Sequence, residues 1–312
     1  MILAPPQLFR LYEDTPVLVA AYDAEDRLRY ANAAFRAAFF LQPRETPLWS
    51  ELMRRNVQAG RGTVLCAETF EDWLVSTQAR RGKTGFRAFE TDLVDGRWLW
   101  MTETVDAHGW MLCIASDITT LRADERTVRQ DRDFAMKAAH TDDLTGVANR
   151  RFITARIEDM LQSPRPSSAS GSGHGCVAVI DIDNFKYIND QHGHAVGDAI
   201  LKDFARRMLT LVRRADCFGR VGGEEFLLVM PGIAPRQATV MVEAMLDHIR
   251  TSQPLPTLPQ LRYTFSAGIA CGQPGDTASA LCVRADQALY DAKLSGRDRV
   301  HVEALPPVAA SG

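Results

Sequence analysis

The sequence predicts an α+β protein in two parts, an N-terminal antiparallel sheet followed by a central sheet flanked by helices. Three observations lead there. Residues 86–93, 97–105 and 110–116 are β-prone runs punctuated by Asp95-Gly96 and Asp106-Ala107-His108-Gly109, the pattern of a meander. Beyond residue 140, short apolar runs alternate with stretches whose apolar residues recur at helical spacing. Between the two parts, residues 117–140 are highly charged and free of Gly and Pro.

Composition narrows the class. A chain of 312 residues fits two domains at roughly 100–200 residues each. Its 46% apolar and 24% charged residues are ordinary for a soluble protein, and Gly 21 with Pro 15 excludes collagen-like and broadly disordered classes. No apolar run reaches the ~18 residues of a membrane span. The start, Met1-Ile2-Leu3-Ala4-Pro5-Pro6, lacks the basic region of a secretory signal. With 36 basic and 39 acidic residues the net charge is −3, which argues against nucleic acid or an anionic membrane as partner. The six cysteines (Cys66, Cys113, Cys176, Cys217, Cys271 and Cys282) show no CxxC pair and no zinc spacing with His. They read as small buried hydrophobes in a reducing cytoplasm, not as disulfides.

The elements follow in order. Residues 17–22 and 27–31 form a hairpin around Asp23-Ala24-Glu25-Asp26. In the run 97–105, Trp98, Trp100, Thr102 and Thr104 share one face, with Leu99 and Met101 on the other. Trp49, Trp73, Trp98, Trp100 and Trp110 read as core. Residues 119–140 read as a helical linker. Ile118, Leu121, Val128 and Ala135 stand at heptad-compatible positions, but Glu125 and Arg132 interrupt the seam. That fits either a solvated connector or a weak dimer stalk.

The second part opens with a helix at 149–161, carrying Phe152, Ile153, Ile157 and Leu161 on one side. Residues 163–175 are a low-complexity surface loop, and 177–180 an apolar strand. Val196, Ile200, Phe204, Met208 and Leu211 trace a helix. A hairpin at 217–230, a helix at 236–249, a strand at 261–270 and a helix at 277–295 complete the order. It suggests a sheet with helices on one face, ending in a disordered tail at 305–312.

Chemistry concentrates in this second part. Strand 177–180 runs into Asp181-Ile182-Asp183, and the two-residue period puts both carboxylates on one face at the strand end. Magnesium takes one or two such carboxylates, keeps several waters and binds substrate phosphates. Val221-Gly222-Gly223-Glu224-Glu225-Phe226 places two glycines at a turn, where positive φ or close ligand approach is permitted, with two acids directly after. Asp181 and Glu224 could share metal ions that activate a hydroxyl and steady a leaving phosphate. Lys293 and Arg297 lie four apart near the end of the last helix, and Lys186 follows the acids. Each cation alone reads as solvated surface; together with the acids they suit a polyphosphate.

At these residues the chain resembles a known family, the GGDEF domain of diguanylate cyclases. The elements run in order from Asp142-Asp143-Leu144-Thr145-Gly146 to Asp181-Ile182-Asp183-Asn184-Phe185-Lys186. Gly193-His194 and Gly197-Asp198 follow, then the signature Gly222-Gly223-Glu224-Glu225-Phe226. Ser266-Ala267-Gly268-Ile269-Ala270 and Tyr290-Asp291-Ala292-Lys293 through Arg297 close the series. The resemblance implies a palm-like nucleotidyl-cyclase domain that condenses two GTP into cyclic di-GMP and two pyrophosphates, working as a homodimer with Mg²⁺ or Mn²⁺. Asp181 and Glu224 would ligate the metal with the Ile182 carbonyl. Asn189 and Asp198, with His194 nearby, would bind the guanine edge. Lys186 would steady the transition state, and Lys293 and Arg297 the outer phosphates; Phe185, Gly222 and Gly223 would complete the pocket. Glu224 or Glu225 would take the 3′-hydroxyl proton. Arg213-Arg214-Ala215-Asp216 stands where the family carries its RxxD inhibitory site, so Arg213 and Asp216 would bind product cyclic di-GMP.

The N-terminal part looks like a PAS sensor domain, on Tyr22-Asp23-Ala24-Glu25-Asp26 through Asn32 and the terminal Asp117-Ile118-Thr119. No ligand is readable for it: His108 sits in a turn, and Cys66 and Cys113 lie outside any flavin-adduct motif. The expected division is therefore a PAS-like sensor over 1–118, a signalling linker over 119–140 and a cyclase domain over 141–304. Two other readings remain: a non-catalytic receptor for cyclic di-GMP or GTP, and a different nucleotidyl cyclase or polymerase-like transferase, which comparing ATP with GTP as substrate would discriminate.

Overall fold

The computed structural model describes residues 5–65, 67, 69–120, 139–163 and 174–303. Most of the expected linker (121–138), most of the low-complexity loop (164–173), Cys66 and the tail from 304 lie outside the described residues. The fold divides into two compact units, Met1–Ala139 with Arg213–Ala215, and His140–Val212 with Asp216–Gly312. Among the described residues, no helix is long and apolar enough to cross a membrane.

The first unit is a five-stranded antiparallel sheet in the order β2-β1-β5-β4-β3. Its strands are β1 (Leu18–Tyr22), β2 (Leu28–Ala31), β3 (Phe86–Asp92), β4 (Trp98–Val105) and β5 (Met111–Asp117). Helix α1 (Pro5–Asp14) precedes the sheet, while α2 (Ala33–Phe39), α3 (Trp49–Gln58) and α4 (Phe70–Gln78) fill the gap between β2 and β3. Asn32, fully buried, ties the corner together. Its Oδ1 accepts from the Val19 and Phe35 N–H groups, capping α2, while its Nδ2 donates to the Tyr12 and Val17 carbonyls. One sheet face carries Leu99, Met101, Met111 and Cys113 against Phe35, Phe39, Trp49, Leu52 and Leu74.

Two tryptophans depart from the expected core role, Trp100 being 36% and Trp110 46% exposed. Alternation along β4 does separate Trp100 from Leu99 and Met101, but the helices cover only the latter face. That buried face also holds a charge: Glu103 Oε1 meets Arg81 Nη1 at 2.8 Å, and Oε2 meets Arg87 Nη2 at 3.0 Å. Arg81 is buried as well, lies over the rings of Tyr22 and Trp49, and pairs with Asp26.

In the second unit the sheet order is β10-β9-β6-β8-β7. The strands are β6 (Gly175–Ile182), β7 (Cys217–Arg220), β8 (Glu225–Pro231), β9 (Phe265–Cys271) and β10 (Val300–Val302). The helices are α5 (Arg150–Gln162), α6 (Phe185–His192), α7 (His194–Leu211), α8 (Pro235–Arg250) and α9 (Ala278–Leu294). Asn149 caps α5 through the Phe152 N–H, and Thr277 caps α9 through the Ala280 N–H.

Helices cover both faces of this sheet, not one as the element order suggests. Val177, Val179, Leu227 and Val229 pack with Ile153 and Ile157 of α5 and Leu281, Ala285 and Leu289 of α9. On the opposite face Phe204 of α7 makes edge contacts with Phe218, Phe226 and Phe265. Every residue of β6 is consequently buried. Strand β9 starts at Phe265, later than the apolar pattern suggests, because its partner β6 ends at Ile182, which pairs with Phe265; Tyr263 before it donates its hydroxyl to Asp203 of α7 at 3.0 Å. Gly268 faces α9 so closely that an added Cβ would lie 2.0 Å from the Leu289 nitrogen. No disulfide joins the described cysteines; Cys113, Cys176, Cys217 and Cys271 are buried and Cys282 is half-buried.

Candidate active site

The central strand delivers its acids to an open edge. Asp181 is the penultimate residue of β6, and the β7–β8 turn is tied beside it by the Ile182 N–H donating to the Glu224 carbonyl. Helix α6 then starts at Phe185, directly after Asn184 takes the left-handed φ of 55° that turns the chain. From across the sheet, α9 brings Lys293, whose Nζ lies 2.8 Å from Asp181 Oδ2. A cleft of about 380 Å³ results, within the size range of small-molecule sites.

Seven residues singled out from the sequence line this cleft: Asp181, Ile182, Phe185, Lys186, Glu224, Lys293 and Arg297. Asn184, Tyr187 and Asp190 line it too and were missed. Asp190, four residues after Lys186 on the helix, had a periodic signal; Tyr187, 65% exposed, had none.

The electrostatics are those of acids short of positive charge. Burial pushes the Asp181 carboxyl upward, Glu225 and Asp183 add to this, and Lys293 opposes it. Burial and then Asp181 push Glu224 upward as well. Two carboxylates on one cleft, the first raising the second, with a main-chain carbonyl alongside, form a hard oxygen set suited to a divalent cation. Among the described residues no group of three or more His, Cys, Asp or Glu converges as a cage. The set fits an ion that keeps waters and shares a phosphate ligand, as magnesium does.

The other expected residues fall elsewhere. Asn189 sits on α6 with its side chain against Gly197 of α7, so close that a Cβ on Gly197 would lie 2.0 Å from Asn189 Oδ1. His194 and Asp198 are exposed at the start of α7. These residues do not line the cleft but stand beside it on α6 and α7. Glu225 is exposed, and its carboxylate folds back over Gly222, where a Cβ would lie 2.5 Å from Oε2. The glycine pair sits in the turn, as expected, but without the positive φ that the expectation allowed. Neither Gly222 nor Gly223 has positive φ; Gly222 makes room for Glu225, and Gly223 faces open space. Asp183, in the turn just past β6, is buried as Asp181 is but does not line the cleft; it accepts from Thr264 Oγ1 and Ser266 Oγ, both at 2.7 Å. Arg213, exposed, and Asp216, fully buried, bracket the turn between α7 and β7.

Comparison with known proteins fits this geometry. Residues 139–299 match the family model described as the diguanylate cyclase GGDEF domain. The chain is 38% identical over 177 residues to the response regulator PleD of Caulobacter vibrioides, covering 55% of this chain and 38% of that protein. It is 36% identical over 191 residues to the diguanylate cyclase DgcM of Escherichia coli, covering 61% and 43%. The match thus spans about two-fifths of the length of these relatives. Among solved structures, the coiled coil and GGDEF domain of DgcB from Caulobacter crescentus, in complex with c-di-GMP, superposes with a TM-score of 0.51. That likeness is 27% identical and covers 58% of this chain and 94% of the other.

Proposed function

Because the chain belongs to the diguanylate cyclase GGDEF-domain family, we propose that it condenses two GTP into cyclic di-GMP and two pyrophosphates at the cleft beside β6. The observation that carries this reading is the convergence of Asp181 and Glu224 with Lys186, Lys293 and Arg297 on one cleft. A non-catalytic receptor has no need of a pair of metal-binding acids on its cleft, whereas metal-assisted phosphoryl transfer does.

In this reading Asp181, Glu224 and the Ile182 carbonyl hold one or two Mg²⁺ or Mn²⁺ ions. When bound, such an ion neutralises phosphate charge and lowers the pKa of the attacking hydroxyl. Lys293 and Arg297 bind the β- and γ-phosphates and stabilise the departing pyrophosphate, and Lys186 meets charge developing on the α-phosphate. Glu224 lines the cleft and Glu225 does not, which supports Glu224 as acceptor of the 3′-hydroxyl proton. Asn189 and Asp198, with His194 nearby, read the guanine edge, and Phe185, Gly222 and Gly223 shape the pocket. Each cleft holds one GTP, so two copies face each other during reaction. Product is held at Arg213 and Asp216 as an inhibitor. The strand order of the first unit, with three helices between β2 and β3, supports a PAS-like sensor controlling this cytoplasmic enzyme.

Incubation of the full chain with GTP and Mg²⁺ is expected to yield cyclic di-GMP and pyrophosphate, and Glu224→Gln is expected to abolish turnover. Absence of product at high protein concentration, or a fully active Glu224→Gln variant, overturns the reading. Substituting ATP for GTP separates it from an adenylyl transferase.

A further inference from the structure

The arginine of this cleft stands on an unusual piece of backbone. After α9 ends at Leu294, Gly296, Arg297 and Asp298 take φ values of 113°, 62° and 52° in succession. Such angles suit glycine but press the Cβ of other residues against the backbone. Consecutive left-handed residues persist only where the surroundings over-determine them, and such places are often ligand clamps.

Here the surroundings grip from two sides. From inside the fold, Asp183 Oδ2 accepts the Asp298 N–H at 3.0 Å. Asp183 is 4% exposed and is itself fixed by Thr264 Oγ1 on Oδ2 and Ser266 Oγ on Oδ1. From outside, Arg250 of α8 donates Nη2 to the Asp298 carbonyl at 2.7 Å and Nε to Asp298 Oδ1 at 2.8 Å. One residue on, the Arg299 carbonyl accepts from Ala267 of β9 at 3.0 Å. All three partners hold the chain immediately after Arg297, the residue that lines the cleft.

We propose that Asp183 is a positioning residue: by accepting the Asp298 N–H it fixes the left-handed turn that aims Arg297 at a polyphosphate, with Arg250 as the outer half of the same clamp. The inference rests on the nucleotide reading of the cleft and deepens it. Its rival is that Asp183 serves as a second metal carboxylate beside Asp181. The two differ in what Asp183→Asn can do. The amide oxygen of that variant still accepts from Asp298 and Thr264 while its NH₂ donates to Ser266, so the turn survives; a lost metal ligand does not.

The test uses the full chain with Asp183→Ala, Asp183→Asn and Arg250→Ala. It reads the KM for GTP, kcat, and equilibrium binding of inorganic pyrophosphate against GMP. Asp183→Ala is expected to raise KM and weaken pyrophosphate binding about tenfold, the worth of one hydrogen bond, with GMP binding unchanged. Arg250→Ala, at a partly exposed position, is expected to move the same quantities about threefold without loss of fold. Asp183→Asn is expected to restore what alanine loses. An Asp183→Asn variant as dead as Glu224→Gln overturns the inference in favour of metal ligation. Folded Asp183→Ala or Arg250→Ala protein with unchanged pyrophosphate affinity overturns it outright. If Asp183→Ala does not fold, the asparagine and Arg250 variants decide. Should wild type make no cyclic dinucleotide, the cyclase reading fails while pyrophosphate binding still tests the clamp.

Discussion

Substituting Gly268 by alanine places a methyl group where β9 and α9 touch backbone to backbone. The added carbon would sit 2.0 Å from the Leu289 nitrogen, 2.1 Å from the Ala285 carbonyl oxygen and 2.7 Å from the Ala288 carbonyl carbon. Ordinary contact begins near 3.4 Å, so α9 has to retreat by more than an ångström. None of the three atoms is the tip of a side chain that could swing aside. A gap of ~0.5–1 Å forfeits a quarter to a half of each dispersion contact. Helix α9 buries Leu281, Ala285, Ala288, Leu289 and Ala292, all of which would lose contact together. Overpacking of this kind costs typically ~1–3 kcal/mol, and a rigid backbone neighbour places Gly268→Ala near the top, at ~3 kcal/mol. For a domain of ~150–250 residues that lowers Tm by roughly 6–12 °C. The measurement is circular dichroism of the full chain on heating. Tryptophan fluorescence does not serve, because Trp49, Trp73, Trp98, Trp100 and Trp110 all belong to the first unit. Turnover should fall too, since α9 carries Lys293 away from Asp181. A second-unit Tm within ~2 °C of wild type would refute the reasoning.

Three other outcomes are expected. Glu103 is raised by burial, but Arg87 and Arg81 outweigh this and hold its carboxyl below the ordinary glutamate range. With the folded pKa depressed, its stabilisation is present above the unfolded value of ~4.3 and is lost as pH falls through the folded one. Glu103→Gln should therefore destabilise the first unit by ~3 kcal/mol at pH 7.5, with the gap closing at acid pH, as read by tryptophan fluorescence. A gap independent of pH would show that the Glu103 charge is not what stabilises. Gly197→Ala should push Asn189 off its position and raise the KM for GTP about two- to tenfold with little change in fold stability; an unchanged KM would remove Asn189 from guanine recognition. Arg213→Ala should raise steady-state cyclic di-GMP output by relieving product inhibition, and an unaltered inhibition curve would count against the RxxD role.

How far the chain could be read in advance varied with the kind of physics involved. The meander of the first unit and the helices of the second follow from periodicity, because apolar spacing repeats locally. The covering of both sheet faces had a signal that the element order obscured. Residues 177–180 are apolar without alternation, as expected for a strand with no solvent side. Alternation told Trp100 from Leu99, yet nothing local says which face of a sheet the helices will cover. Arg81 shows the same limit more sharply. It belongs to a run of polar residues, and its burial depends on Tyr22, Trp49, Asp26 and Glu103, all far away in sequence. At the cleft, the acids and cations were legible by residue type and order. The different surroundings of Asp181 and Asp183 were not, because they are set by Lys293 for one and by Ser266 and Asp298 for the other.

The contact between Lys293 and Asp181 has a thermodynamic consequence. Each neutralises the other, and in the proposed function each is also wanted by part of the substrate complex: the carboxylate by a divalent cation, the ammonium by phosphate oxygens. A dication arriving alone strands the ammonium beside a like charge, and a nucleotide arriving alone strands the carboxylate. Arriving together, they exchange one ion pair for two. The affinities are then reciprocally linked, each ligand strengthening the other by the same factor. On the proposed reading, free nucleotide and free metal would both be poor occupants, and the cleft would respond to the concentration of their complex.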